Sequence, residues 1–274
     1  MYLGIDIGGT KTLLAVFNDD GSMVESQKFP TPNAYDDFLK ELTGNLTQLK
    51  TKSFERCAIG VPGNLNREQG IALALGNLPW RNVTLRDDVQ AIVTSPTLIE
   101  NDANLAGLAE AKMLVGRYTK VLYVTVSTGI GGTLYQNDEM IRALEDMEMG
   151  KMPLPFEGRI AYWENFAGGR SIVDRYKKMA SELDDPKAWH EIAERLGYGL
   201  AIVCSILQPD AIVFGGGAGQ YAEKFIPHLQ AYLKENLHVV VNPPQAMFPA
   251  HYKDQSVIVG CYQLARLGHE EIIG

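Results

Sequence analysis

One local pattern occurs twice in the chain, and it limits the fold more than any other feature. YLGIDIGGTKTLLAVFN (Tyr2–Asn18) reads as an apolar strand, a glycine-rich turn and a second strand. KVLYVTVSTGIGGTLYQN (Lys120–Asn137) repeats that order and chemistry. Elsewhere strands alternate with helices. The spacing of Phe38, Leu39, Leu42, Leu46 and Leu49 predicts a helix over Tyr35–Leu49. CAIGV (Cys57–Val61) is a short buried strand, and TLIEND (Thr97–Asp102) is a strand followed at once by the helical ANLAGLAEAKML. Further helices are expected over Arg170–Leu183 and Trp189–Leu207, and AIVFGGGAG (Ala211–Gly219) runs from a buried strand into a triple-glycine turn. Asp19-Asp20-Gly21 is a hairpin signal. SVIVGCYQLARL near the end is apolar around most of its circumference, which predicts a helix packed between lobes. The fold class is therefore α/β, with mixed sheets carrying helices on their faces. Two such lobes leave a cleft, where ligands usually bind. No linker rich in Pro, Gly or Ser separates the halves, so the hinge is short.

The chain has 274 residues, enough for two lobes with their own cores. Its net charge of -8 is spread along the sequence with no basic stripe, which speaks against a nucleic-acid partner. No apolar run approaches the roughly 20 residues of a membrane span. LGID begins almost at Met1, so no signal peptide is expected and the protein is expected to be cytoplasmic. Cys57, Cys204 and Cys261 are far apart and odd in number, as buried reduced thiols would be.

Four segments carry chemistry. In DIGGTKT the glycines permit an anion nest of successive N–H groups. Thr10 and Thr12 add hydroxyls and Lys11 a charge, while Asp6 offers a hard oxygen to a divalent cation, through water. A hairpin turn alone would not explain Asp6 in an otherwise apolar strand, because a charge there needs a partner. VSTGIGGT makes a second nest around Thr128 and Gly129. It is no dinucleotide fingerprint, since Leu134 stands where the last glycine belongs, and the chain lacks a P-loop motif. FGGGAG lets a flat ligand lie on the backbone or makes a tight strand-to-helix turn. In ENDAN, Asp102 is either a helix N-cap or a general base at the lobe boundary, with Asn101 holding a substrate hydroxyl.

Taken in order, DIGGTKT, GVPG, GNLPW, ENDAN, STGIGG, EMGK, WENFAGG and GGGAG resemble the ROK family of sugar kinases over nearly the whole chain. That resemblance implies the two-lobed actin-like ATPase fold, of ribonuclease H-like topology with an interlobe cleft. The lobes would be residues 1–104 with 255–274, and 105–254. It also implies ATP-dependent phosphorylation of a hexose at its 6-hydroxyl, with Asp102 as base and Asp6 positioning Mg²⁺. Gly8, Gly9, Thr10, Lys11 and Thr12, with Thr128 and Gly129, would surround the ATP phosphates. Gly215, Gly216 and Gly217 would lie by the adenosine. Gly63, Asn77, Asn101, Asp102, Glu148 and Glu164 match sugar-contacting positions. Glucose is the first expectation; N-acetylmannosamine, N-acetylglucosamine, mannose, allose and fructose are alternatives, as are polyphosphate as donor and a non-catalytic sugar-binding role. ROK repressors carry a helix-turn-helix ahead of the kinase-like part; with the first strand beginning almost at Met1, DNA binding is not expected here, and a homodimer is an expectation from relatives.

The sequence departs from the family at one place. ROK kinases carry a zinc site whose histidine follows the E-x-G motif; here the motif reads EMGK, and EGRIAYWENFAGG holds no cysteine. An ammonium is a poor zinc ligand and the thiolates are missing, so no structural zinc is expected. Lys151 then either pairs with Glu148 and Glu164 or donates to a sugar hydroxyl. Trp163 and Phe166 are expected to fill the space of the metal site.

Overall fold

The computed structural model describes residues 1–268. The chain divides into two compact units, one of Met1–Ala109 with the segment that starts at Val257, the other of Glu110–Ser256.

In the first unit, β1 (Tyr2–Ile7) and β2 (Lys11–Phe17) form the hairpin around the first glycine turn, and β3 (Met23–Pro30) extends it. The expected turn at Asp19–Gly21 connects β2 to β3. The Asp20 and Asn18 side chains accept the Ser22 N–H at 2.8 and 3.0 Å, and Gly21 takes a φ of 87° that suits glycine. Helix α1 (Tyr35–Gln48) buries Phe38 and Leu42. Full burial of such a side chain is worth about 1.5–3 kcal/mol. β4 (Arg56–Val61) then pairs with β1 in parallel. A small antiparallel sheet follows, β5 (Asn64–Asn66), β6 (Ile71–Ala74) and β7 (Arg81–Val83). Arg81 ties its loop together by donating to the carbonyls of Leu75, Leu78 and Trp80. α2 (Leu85–Val93) leads to β8 (Thr97–Asn101), which pairs in parallel with β4, and α3 (Asp102–Lys112) follows directly. The main sheet has the order β3-β2-β1-β4-β8. The C-terminal ends of β1, β4 and β8 thus lie side by side at one edge, where α/β sheets bind ligands.

The second unit reuses the plan. β9 (Lys120–Val126) and β10 (Ile130–Gln136) form the second glycine hairpin, extended by β11 (Glu139–Met140). A two-stranded hairpin, β12 (Pro153–Phe156) and β13 (Arg159–Tyr162), precedes the short helices α4 (Trp163–Ala167) and α5 (Gly169–Tyr176). The long α6 (Pro186–Leu207) starts at an Asp185 cap that accepts the Lys187 N–H at 2.9 Å. β14 (Ala211–Gly215), α7 (Gly216–Gly219), α8 (Ile226–Asn236) and β15 (Ala246–Pro249) complete the unit. Its sheet order, β11-β10-β9-β14-β15, matches the first sheet strand for strand, with the same antiparallel and parallel pairings. The helix expected to reach Leu183 stops at Tyr176, where Lys177 turns left-handed at φ 55° and a 3-10 turn takes over.

The last helix, α9 (Ser256–Leu267), packs on the sheet of the first unit. A Cβ on Gly4 of β1 would lie 3.0 Å from Ile258 and 3.1 Å from Cys261, and a Cβ on Gly60 would lie 2.9 Å from Val257. Glycines on β1 and β4 therefore let the helix approach. Cys57, Cys204 and Cys261 are all buried free thiols. Burial pushes the Cys204 thiol up to about 12, and the other two also rise. Among the described residues no helix is long and apolar enough to cross a membrane.

Candidate active site

The first unit brings together two acids remote in sequence. Asp6 is on β1, opposite Leu13 on one side and Gly60 on the other, and it is the one charge in that strand. Asp102 begins α3 at the end of β8, two strands away. The two carboxylates sense each other. Burial first and the charge of Asp102 second raise the Asp6 carboxyl from its ordinary 3.8 to about 7, with Lys28 opposing. A desolvated carboxyl with a like-charged neighbour is poised to accept a cation. Mg²⁺ is commonly held by one or two carboxylates together with waters and substrate phosphates. Asp6 beside Asp102 fits that donor set. No group of three or more acid, His or Cys side chains placed to hold a metal occurs among the described residues.

The turn after Asp6 is fastened from beneath. Gly8 N–H donates to Lys11 O at 2.9 Å, and Thr31 supplies two further ties: its N–H to Thr10 O, and its hydroxyl to Gly8 O at 2.8 Å. Thr10 and Lys11 stay exposed. Thr12 does not join them. It is fully buried, and its hydroxyl lies 2.9 Å from that of Thr31, so it anchors the hairpin instead of reaching a phosphate. Gly9 lies directly on Asn77, leaving no room for a Cβ, so the first glycine turn and the GNLPW loop touch. Trp80 of that loop is buried against Phe38, and its indole N–H donates to Asn33 O at 2.8 Å.

The ENDAN segment divides its labour differently from the N-cap reading of Asp102. The cap is Asn101, whose Oδ1 accepts the N–H groups of Ala103 at 2.9 Å and Asn104 at 3.3 Å. Its amide donates to Gly63 O at 3.2 Å, so one side chain joins the ends of β4 and β8. Gly63 itself has φ 109°, and a Cβ there would run into the backbone of Ala74 and Leu75, so only glycine fits. Asp102 is the first helical residue, with Oδ1 at 2.8 Å from the Ala103 N–H.

Sequence reasoning missed a pair next to these residues. Glu100 is 1% exposed and receives a bidentate contact from Arg67, Nε to Oε2 at 2.8 Å and Nη2 to Oε1 at 2.7 Å. Asn104 and the Asn101 N–H also donate to it. A glutamate in an apolar strand signals a buried partner; nothing in the sequence points to Arg67 as that partner.

The second unit gathers Thr128, Gly129, Glu148, Lys151 and Glu164. Lys151 and Glu164 form an ion pair. Glu164 Oε2 faces Gly129 so closely that a Cβ there would collide with it, and it accepts the Ile130 N–H at 3.4 Å. Partial burial raises the Glu148 carboxyl; Lys151 opposes that shift and Glu164 adds to it. Gly216, at φ 81°, packs on Thr125 and Val126 at the end of β9, while Gly217 borders open space. The triple-glycine turn thus adjoins the strand that feeds the second nest. Trp163 is fully buried and donates to Arg195 O at 3.1 Å. Phe166 stacks on Phe156 with ring centroids 4.0 Å apart.

A sequence model of the ROK family matches residues 2–267. The glucokinase of Streptomyces coelicolor is 25% identical over 310 residues, covering 97% of this chain and 98% of that enzyme. A xylose repressor of Caldicellulosiruptor bescii is 25% identical over 240 residues, 74% of this chain and 60% of the repressor. Among solved structures, a ROK family glucokinase from Streptomyces griseus in complex with glucose and AMPPNP superposes with a TM-score of 0.81 at 24% identity, covering 97% of this chain and 99% of that one. The fold is accordingly the two-lobed actin-like α/β fold of the ROK kinases.

Proposed function

The chain belongs to the ROK family, and from that premise we propose that it is a sugar kinase moving the terminal phosphoryl group of ATP to the 6-hydroxyl of a hexose, glucose foremost. The carrying observation is the coupling of Asp6 and Asp102 at one edge of the first sheet. Asp102 takes the proton of the 6-hydroxyl, the freed oxygen bonds to the γ-phosphorus, and the bond from that phosphorus to the β-phosphate bridging oxygen breaks, releasing ADP. Such transfer asks for alignment and charge stabilisation more than for covalent work by the protein. Mg²⁺, when bound through Asp6, supplies positive charge to the phosphate oxygens.

Gly8, Gly9, Thr10 and Lys11 serve the phosphates from the first unit, Thr128 and Gly129 from the second, and Gly215–Gly217 the adenosine. Gly63, Asn77, Asn101, Glu148 and Glu164 serve the sugar. Asn101 acts mainly by position, since its oxygen is committed to α3 and one amide hydrogen to Gly63. A site of amides and carboxylates rejects analogues that lack a hydroxyl, because its polar groups would be left unpaired. The glucokinase relative supports glucose. The reading includes a cytoplasmic, homodimeric enzyme.

The test is an ADP-release screen with glucose, mannose, fructose, allose and the two N-acetylhexosamines, run with ATP and with polyphosphate. We expect glucose with ATP to give the largest kcat/KM. Flat traces with every sugar and both donors would refute the assignment and favour a sugar-binding protein without turnover.

A further inference from the structure

The second nest is braced by a charged pair that the family pattern does not contain. Glu164 divides its carboxylate: Oε1 pairs with Lys151, and Oε2 accepts the Ile130 N–H while lying on Gly129. The same turn is held from the other direction by the start of α5. Gly169 N–H donates to Ser127 O at 2.7 Å, and Arg170 N–H donates to Thr128 O at 3.1 Å. Gly168 N–H in turn donates to Glu164 O at 2.9 Å. Glycines make this contact possible: a Cβ on Gly150 would strike Ile130 O, and a Cβ on Gly168 would lie 3.0 Å from Thr128 O. Residues 127–130, 148–151 and 163–170 are therefore one backbone-packed block.

A carboxylate against a turn that receives phosphates is electrostatically wrong unless it is neutralised, and Lys151 neutralises it. We propose that Lys151 and Glu164 form a charge-compensated strut that sets the backbone of the turn Ser127–Ile130 for a polyphosphate chain. This makes Lys151 a positioning residue for the nucleotide as well as a neighbour of the sugar positions. The inference rests on the reading of that turn as a phosphate cradle. Without Lys151, the turn would keep its brace but face the incoming anion with a bare negative charge.

The experiment is calorimetric titration of AMPPNP with Mg²⁺ into the full chain without any sugar, which removes sugar contacts from the readout. Lys151→Met is expected to weaken AMPPNP about tenfold, equivalent to about 1.4 kcal/mol, and Lys151→Arg to stay within about twofold of the parent because the charge is kept. In the double variant Lys151→Met with Glu164→Gln, the unpaired charge is gone and part of the lost affinity returns. That recovery is a signature that a merely structural lysine would not give; Lys151 is half exposed, and Glu164→Gln keeps a side-chain oxygen for the Ile130 N–H. Parent-like AMPPNP affinity in Lys151→Met, or a double variant weaker than the single one, overturns the strut while leaving the kinase reading intact. A parent protein that binds no AMPPNP overturns both.

Discussion

Replacing Asp6 by Asn should stabilise this protein at neutral and alkaline pH while disabling it. The Asp6 carboxyl rises from 3.8 to about 7 on folding, burial first and Asp102 second. The folded state therefore holds this proton more tightly than the unfolded chain. Folding takes up a proton between about pH 4 and pH 7, so the contribution of Asp6 to stability falls as pH rises through that window and stays low above it. At 1.36 kcal/mol per pH unit, a shift of about three units sets a ceiling near 4 kcal/mol above pH 7. At about pH 5 only about 1.6 kcal/mol of that cost has accrued. Asparagine, which never ionises, escapes the pH-dependent part but keeps the cost of burying an amide. The stabilisation by Asp6→Asn should hence be larger at about pH 8 than at about pH 5, by about 2–3 kcal/mol. Urea titrations of both proteins at the two pH values, in the absence of Mg²⁺, measure it. An equal difference at both pH values, or a variant less stable than the parent at the higher one, would refute the buried and coupled state of Asp6. In the kinase assay the same variant should lose its dependence on Mg²⁺ along with most of its rate.

Asp102→Asn should lower kcat at least about 10²-fold, the usual contribution of a positioned base, with sugar affinity in direct titration much less affected; near-parent turnover would remove Asp102 from proton transfer. Arg67→Ala leaves Glu100 buried without its cation and should cost about 3–5 kcal/mol, read as a lower midpoint in denaturant, whereas a midpoint within error of the parent would contradict the buried pair. Prolonged chelation followed by thermal unfolding should leave the melting temperature unchanged, because Trp163, Phe166 and Phe156 occupy the core beside α4; a drop of several degrees with stoichiometric zinc in the untreated protein would contradict this.

Much of this architecture is legible in the sequence because it depends on local signals. The duplicated hairpins announce themselves by alternating apolar strands around glycines. Helix α1 shows in the spacing of Phe38 and Leu42, and the turn at Asp20-Gly21 follows from its own dihedral needs. The hairpin β12–β13 is hidden by Pro153 and Pro155, which argue against a strand. Proline is tolerated there because the sheet has only two strands, so each can leave its unpaired side open. Its turn uses Glu157 and Gly158 at φ 48° and 78°, a primed geometry that Glu rarely adopts and that no pattern would flag. At the site, the residues themselves mark Asp6 and Asp102, because a charge in or at the end of an apolar strand needs explaining, whereas Gly63 enters only through the resemblance to the family. Sequence leaves Asp102 open between cap and base and counts Thr12 among ligand groups, since whether that hydroxyl faces Thr31 or solvent depends on a residue distant in sequence, just past β3. Arg67 is invisible for the same reason: its partner lies 33 residues away.

The matching sheets carry an asymmetry. Asp6 stands opposite Gly60, and at the equivalent crossing of the second sheet Thr125 stands opposite Gly215. Where β8 runs on to Asn101 and Asp102, β15 runs on to Ala250. One plan, used twice, thus differs in charge at corresponding strand ends: the first copy has acidic ones, and the second has neutral ones. An acid introduced by Thr125→Asp would lie under Gly216 and give the second copy the negative charge that the first carries at Asp6.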